Sequence, residues 1–254
     1  MMKFPSADLT GRSAVVTGGS KGIGLGMACA LAHAGADIVI VSRNLNEGEK
    51  AAEEIRSMNR KAIAVSCDVT VAASVDAMVE KAVAAFGKVD ILVNNAGMNI
   101  RKLAVELSEN EWDQVLDCNL KGIFLVARCV GQQMIKQNRG KIINIASIFG
   151  MVGYAMLAPY CASKGAIVQL TRSLSLEWAK HNINVNALAP GYIRTPMTET
   201  WLTGERLNKI LGATPMERLG SLEDLVGPII FLASDWSDYI TGHTLMVDGG
   251  WIAQ

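Results

Sequence analysis

The chain has 254 residues, 50% of them hydrophobic, with 24 Lys+Arg against 24 Asp+Glu and a formal net charge of zero. That length supplies a large core. The balanced charge gives no electrostatic reason to expect nucleic acid, a polyanion or an anionic membrane surface as partner. Five scattered cysteines without a C-x-x-C pair, and three histidines, exclude a disulfide framework and a zinc site from the expectation, so no metal site is predicted.

The N-terminus carries no apolar signal segment and no apolar run reaches membrane-spanning length. The expectation is a soluble protein of a reducing compartment, the cytoplasm.

Residues 13–16 form a short β-favouring run that meets Gly18-Gly19-Ser20-Lys21-Gly22-Ile23-Gly24, and residues 25–34 are helical in composition. Strand, glycine turn and helix is the context of a dinucleotide-binding loop, in which the backbone approaches a pyrophosphate resting on the helix N-terminus. The spacing G-x-x-x-G-x-G is one residue longer than the G-x-G-x-x-G form. Residues 36–42 read as a buried parallel strand. At its end, where an acidic residue would hold the adenine ribose of NAD, stands Arg43. An Arg there suits a 2′-phosphate, and Lys21 adds a second cation, so the reading favours NADP(H) over NAD(H).

Further on, a charged amphipathic helix over 45–58 is followed by a strand over 62–66 that leads into Asp68 and Val69. A helix over 73–86 ends at Gly87, and a strand over 91–93 runs into Asn94-Asn95-Ala96-Gly97. This βα rhythm with short connections predicts a parallel sheet covered by helices on both faces. With no linker or composition break, residues 1–254 are read as a single domain.

In the second half, residues 109–138 are predicted as one long helix with Asn119 in its middle, and residues 140–147 as a strand ending in Ser147. Ligands of parallel α/β sheets bind beyond the carboxyl ends of the strands, which puts Ser147 in the layer of the glycine turn. Tyr160 and Lys164 lie four residues apart, near the start of a helix over 155–179 whose Pro159 fits only its first turn. That spacing puts both on one face. A phenol titrates near about 10, and a neighbouring cation is expected to lower it into the range of acid–base work. A strand over 184–188 leads to Pro190-Gly191. Residues 193–215 lose the rhythm, with one amphipathic piece at 199–211, and are a candidate substrate lid. A helix over 222–233 and a last strand over 244–247 complete an α/β, Rossmann-like, doubly wound sheet of about seven strands.

Together, Thr17-Gly18-x-x-x-Gly22-x-Gly24, Asp68, Asn94-Asn95-Ala96-Gly97, Asn119, Ser147, Tyr160-x-x-x-Lys164, Pro190-Gly191 and Val247-Asp248-Gly249-Gly250 resemble the motifs of the short-chain dehydrogenase/reductase family over essentially the whole chain. The resemblance implies hydride transfer between a nicotinamide and a carbonyl or secondary alcohol. Tyr160 would be the general acid/base, and Lys164 would lower its pKa and hold the nicotinamide ribose. Ser147 would bond the reacting oxygen, and Asn119 would support a water on the proton path. It also implies adenine contacts at Asp68 and Val69, cofactor packing by Asn95-Ala96-Gly97, and a nicotinamide side lined by Pro190, Gly191, Ile193 and Thr195. A homotetramer is implied as well. The intact Asn119, Ser147, Tyr160 and Lys164 argue against a binding-only homologue.

Within the family, the block from Glu177 to Tyr192 and the tail through Trp251 look most like the gluconate 5-dehydrogenase and 2-deoxy-gluconate 3-dehydrogenase branch, with 3-oxoacyl-carrier-protein reductases as the close rival. Arg101 and Lys102 could meet a sugar-acid carboxylate or an acyl carrier. Ile148, Phe149, Met151, Tyr154, Tyr192, Met197 and Trp201 are candidate pocket walls, an apolar set that does not by itself favour a polyhydroxylated substrate.

Overall fold

A computed structural model describes residues 4–199 and 202–253. Among them are seven strands: β1 (Ser13–Thr17), β2 (Asp37–Ser42), β3 (Ala62–Ser66), β4 (Ile91–Asn94), β5 (Gly140–Ile145), β6 (Ile183–Pro190) and β7 (Thr244–Val247). All pair in parallel, in the order β3-β2-β1-β4-β5-β6-β7. The helices are α1 (Gly22–His33), α2 (Leu45–Ser57), α3 (Ala72–Phe86), α4 (Glu109–Leu116), α5 (Gly122–Gln137), α6 (Ala158–Trp178), α7 (Pro196–Glu199), α8 (Gly204–Gly212) and α9 (Val226–Ala233).

Side chains alternate across each strand, and here both faces are dry. Val16, Ile38, Ile40, Ile91, Val93, Ile143 and Leu188 pack with Met27 and Leu31 of α1, Ile55 of α2 and Ile229 of α9. Their neighbours Val15, Val39, Leu92, Ile142 and Val185 pack the other way, onto Met78 of α3, Val126 and Val130 of α5 and Leu174 of α6. Helices therefore cover both faces, as the unbroken apolar runs of β1, β2 and β4 predict.

The strand order places the site. After β3 the chain crosses to the far side of β1, so β4 lies beside β1 with Val16 opposite Val93. The turns leaving these two strands diverge and open a crevice at their carboxyl ends.

Several boundaries differ from the sequence reading. Helix α1 begins at Gly22, three residues earlier: Gly22 makes the turn into the helix with a positive φ of +57°, and Gly24 already lies within the first turn. The long helix over 109–138 is interrupted by one widened turn, Asp117–Lys121, where the Gly122 N–H bonds back to Asp117 O. Such π turns hold one extra residue and often occur at functional sites. Strand β6 runs on to Pro190, whose missing N–H is tolerated at a strand end. The piece read over 199–211 holds α8, with α7 ending at its first residue. Trp201 and the side chain of Met197, read as pocket walls, lie outside the described residues.

Candidate active site

The glycine turn is locked to the loop after β4 by side-chain chemistry. The Thr17 hydroxyl accepts from the N–H groups of Asn95 and Ala96 at 3.0 and 3.1 Å. The Asn95 amide donates to Thr17 O and Gly18 O at 3.0 and 3.1 Å. Gly24 passes so close that a Cβ there would meet Gly18 O at 2.2 Å. The first turn of α1 has no side-chain cap and no acidic residue. Its N–H groups are thus left for an anion, and the residues present fit the pyrophosphate of a dinucleotide. Ser20 and Ile23 are half-buried in the same turn, and Lys21 is exposed.

Arg43 lies exposed just past β2. Lys21 is brought to the same corner by an ion pair, 3.5 Å from Glu47 in the first turn of α2. Glu47 thereby offsets part of the Lys21 charge and leaves Arg43 the stronger candidate for a phosphate. Asp68 follows β3 by two residues. Hydrogen bonds from the Thr70 hydroxyl and N–H hold its carboxyl below the usual carboxylate range. Val69 is buried against Gly122. Gly97 lies against the Asn119 amide. Beyond β6, Pro190 and Ile193 are buried and Gly191 is half-buried, with Thr195 buried in a net of bonds to Thr198.

Asn119 occupies the widened turn and is fully buried. Its Oδ1 accepts from Met98 N at 2.7 Å, and its Nδ2 donates to Met98 O at 2.9 Å and Ser163 Oγ at 3.2 Å. Ser163 in turn donates to Tyr160 O at 2.8 Å. Asn119 therefore ties the loop after β4 to the first turns of α6. Ser163 had not been singled out from the sequence. Its place three residues after Tyr160, on the same helix face, is the signal that would have found it.

Ser147 stands two residues past β5, buried, its Oγ accepting from Phe149 N at 3.2 Å. Its hydroxyl lies near enough to the Tyr160 phenol to lower that phenol's pKa. Lys164 is buried too, with Nζ donating to Ile145 O at 2.6 Å and lying 5.5 Å from the Tyr160 ring centroid. The structure thus brings Ser147, Tyr160 and Lys164 together at the end of β5, with Asn119 joined to the Tyr160 main chain through Ser163.

One expectation is corrected. Burial pushes the Tyr160 phenol up from its ordinary value, and the Ser147 hydroxyl only partly offsets this. The Lys164 ammonium is committed to the carbonyl at the end of β5, 5.5 Å from the centre of the Tyr160 ring, and burial sets the direction of the phenol's shift. Burial also pulls Lys164 down to about 8. The unfolded chain then holds more protons at this amine than the folded protein between pH 8 and its ordinary value near 10.5, so its contribution to stability rises with pH. Cys29 and Cys129, pushed up to about 11 by burial, act in the opposite sense, but they cancel in a comparison of variants. The difference in unfolding free energy between wild type and Lys164→Met is expected to grow in favour of wild type by on the order of 2 kcal/mol from pH 8 to 9.5. Urea unfolding at both pH values measures it, and a pH-independent difference would refute the assignment.

Rings gather above Tyr160. Phe149 lies 6.5 Å from Tyr160, 5.0 Å from Tyr154, 5.9 Å from Tyr192 and 6.1 Å from Trp251 between centroids. Arg101 stacks its guanidinium 5.5 Å over Tyr154. Lys102 is instead paired with both oxygens of Glu111 at 3.0 Å. Ile148 is buried beneath this cluster, while Met151 is half exposed at its rim. Among the described residues no group of three or more His, Cys, Asp or Glu could hold a metal ion, and no helix is long and apolar enough to cross a membrane.

Comparison with known proteins agrees with this geometry. The profile of the short chain dehydrogenase family matches residues 12–206. A 2-dehydro-3-deoxy-D-gluconate 5-dehydrogenase of Dickeya dadantii is 47% identical over 249 residues, 97% of this chain and 98% of that protein. A 3-oxoacyl-[acyl-carrier-protein] reductase of Staphylococcus aureus is 40% identical over 240 residues, 94% of this chain and 97% of that protein. The crystal structure of a gluconate 5-dehydrogenase from Burkholderia cenocepacia, in complex with NADP and tartrate, superposes with a TM-score of 0.94 at 38% identity, covering 98% of each chain. The chain belongs to the short chain dehydrogenase family and is an NAD(P)-dependent oxidoreductase acting on CH–OH groups.

Proposed function

We propose that the protein transfers hydride between NADP(H) and the C5 carbonyl or hydroxyl of a six-carbon sugar acid of the gluconate or 5-keto-gluconate kind. The observation that carries the substrate class is Arg101. It is held over Tyr154 in the ring cluster beside Tyr160, while its neighbour Lys102 is neutralised by Glu111. A guanidinium at the edge of the site suits a carboxylate. The rings answer the apparent mismatch with a polyol, since Tyr154, Tyr192 and Trp251 present both apolar faces for C–H groups and polar edges for hydroxyls. The similarity to sugar-acid dehydrogenases supports the same choice.

The bound nicotinamide supplies or accepts the hydride. The chain's own residues do the rest. Ser147 and Tyr160, neighbours at the end of β5, both donate to the reacting oxygen and stabilise the charge that grows there. Tyr160 passes its proton to that oxygen in reduction and recovers it in oxidation. Lys164, titrating near 8, can gain or lose a proton at working pH and holds positive charge beside the ring. Residues 193–215, which carry α7 and α8, are the segment that closes over substrate. Exposed Phe124, with half-buried Leu120 of the widened turn and Leu170 of α6, makes an apolar groove that supports self-association, as a homotetramer requires. The five free thiols suit the cytoplasm.

The test is a screen of 5-keto-gluconate, 2-dehydro-3-deoxy-gluconate and acetoacetyl thioester with each cofactor. Turnover of a sugar acid with NADP(H) supports the reading, and a preference for the thioester overturns it in favour of a 3-oxoacyl reductase. In the same assay Arg43→Asp is expected to raise the KM for NADPH about 30-fold or more, since it removes a charge-assisted phosphate contact and adds repulsion, with KM for NADH unchanged or lower. An unaltered NADPH/NADH ratio would show Arg43 to be an uninvolved surface charge.

A further inference from the structure

The tail after β7 is built to hold one indole in the site. Gly249 and Gly250 both adopt positive φ, +64° and +85°. Asp248 fastens the turn they make, its carboxylate accepting from Gly250 N at 2.9 Å and Ile252 N at 3.0 Å. Gly191 N donates to Val247 O at 2.9 Å, and Met216 N to Gly249 O at 3.1 Å. The tail is therefore pinned both to the loop after β6 and to the end of the 193–215 segment. These contacts lay Trp251 against Phe149 and Tyr192, each 6.1 Å away between centroids. Phe149 in turn touches Tyr160.

The indole Nε1 is buried and, among the described residues, has no hydrogen-bond partner. A buried N–H without an acceptor costs free energy unless something else accepts from it. The other buried polar atoms in this condition, Asn94 Oδ1, Arg60 Nε and Thr244 Oγ1, belong to the sheet and its margins and not to the ring cluster. Tyr192 and Tyr154 bond each other, and burial with that bond pushes the Tyr192 phenol up.

We infer that Trp251 is a specificity-determining residue whose indole N–H donates to a hydroxyl oxygen of the sugar-acid chain, while its ring walls the pocket beside Phe149. This rests on the sugar-acid reading above. A site with an unpaired buried donor favours a substrate that carries the matching oxygen over one that lacks it. A carbonyl substrate without hydroxyls would leave the donor unsatisfied.

The test compares 5-keto-gluconate with 5-oxohexanoate, which keeps the C5 ketone and the carboxylate but has no hydroxyl. Trp251→Phe keeps a ring against Phe149 and Tyr192, removes the donor and narrows the wall by one ring, a change that both substrates meet alike. It is expected to lower kcat/KM for 5-keto-gluconate about tenfold more than for 5-oxohexanoate, through KM. NADP(H) affinity, followed by fluorescence, serves as the folding control. A second readout does not depend on the variant's stability. In ¹⁵N-labelled wild type with cofactor, the Trp251 indole N–H resonance should shift on adding 5-keto-gluconate and stay in place with 5-oxohexanoate. Equal losses on both substrates, or an indole resonance indifferent to 5-keto-gluconate, would overturn the inference. If wild type turns over no sugar acid at all, the functional reading itself fails, which the screen detects independently.

Discussion

Tyr160→Phe is expected to reduce kcat by at least about a thousandfold while leaving the Kd for NADP(H) within about threefold. The variant removes one oxygen. The ring keeps its edge contact with Phe149 at 6.5 Å, and Lys164 keeps its bond to Ile145 O, so the local fold has no reason to move. What disappears is the proton donor beside Ser147. A general acid is worth two to four powers of ten, and a donor aimed at developing charge adds a similar factor, so the combined loss is large. Ser147 would remain as a lone donor and give a small residual rate. Stopped-flow reduction of substrate together with a fluorescence titration separates the two quantities. Near-normal turnover would remove Tyr160 from the mechanism. A parallel loss of cofactor affinity would make its role structural.

The second large effect lies at the other end of the crevice. Gly24→Ala is expected to weaken dinucleotide binding about 100-fold or more and to lower unfolding free energy by about 1–3 kcal/mol. The added methyl would stand 2.2 Å from Gly18 O and 2.5 Å from Asn95 Nδ2, far inside contact distance. Neither neighbour can retreat freely. Gly18 O and Thr17 O both accept from Asn95, and Asn95 N is bonded to Thr17 Oγ1. Relief therefore opens the turn that must approach the phosphates. Titration with NADPH and denaturant unfolding read the two consequences, and unchanged affinity would show that the turn is not the phosphate site.

Much of this was legible beforehand because it depends on local chemistry. The strands announced themselves as short β-branched runs, and the strand–glycine–helix order gave the crevice its phosphate end. Residues as distant in sequence as Gly18, Asn119, Ser147 and Tyr160 could be joined only through the family resemblance, yet the structure brings their elements to one end of the sheet. The misses have a common physical origin. Whether Lys164 faces the phenol or a carbonyl is a rotamer choice set by packing, invisible to a spacing of four. The widened turn around Asn119 escapes a periodicity argument, because one extra residue shifts the apolar pattern by less than the pattern's own scatter. Trp251 was read only as part of a motif. Its approach to Phe149 is a contact between β7's tail and β5's, which no local window contains.

The widened turn at Asp117–Lys121 has a consequence for how this site can be lost. The helix it interrupts contains one residue more than a regular α-helix of the same span needs. Removing any one residue of the turn would restore ordinary i to i−4 bonding. It would also swing the segment on one side by about 100° relative to the other. Either Asn119 would leave Met98, or the face of α5 that carries Val126 and Val130 would leave the sheet. The activity is thus encoded in a length as well as in a set of side chains. A single in-frame codon deletion could yield a better hydrogen-bonded helix and a poorer enzyme, with Ser147, Tyr160 and Lys164 untouched.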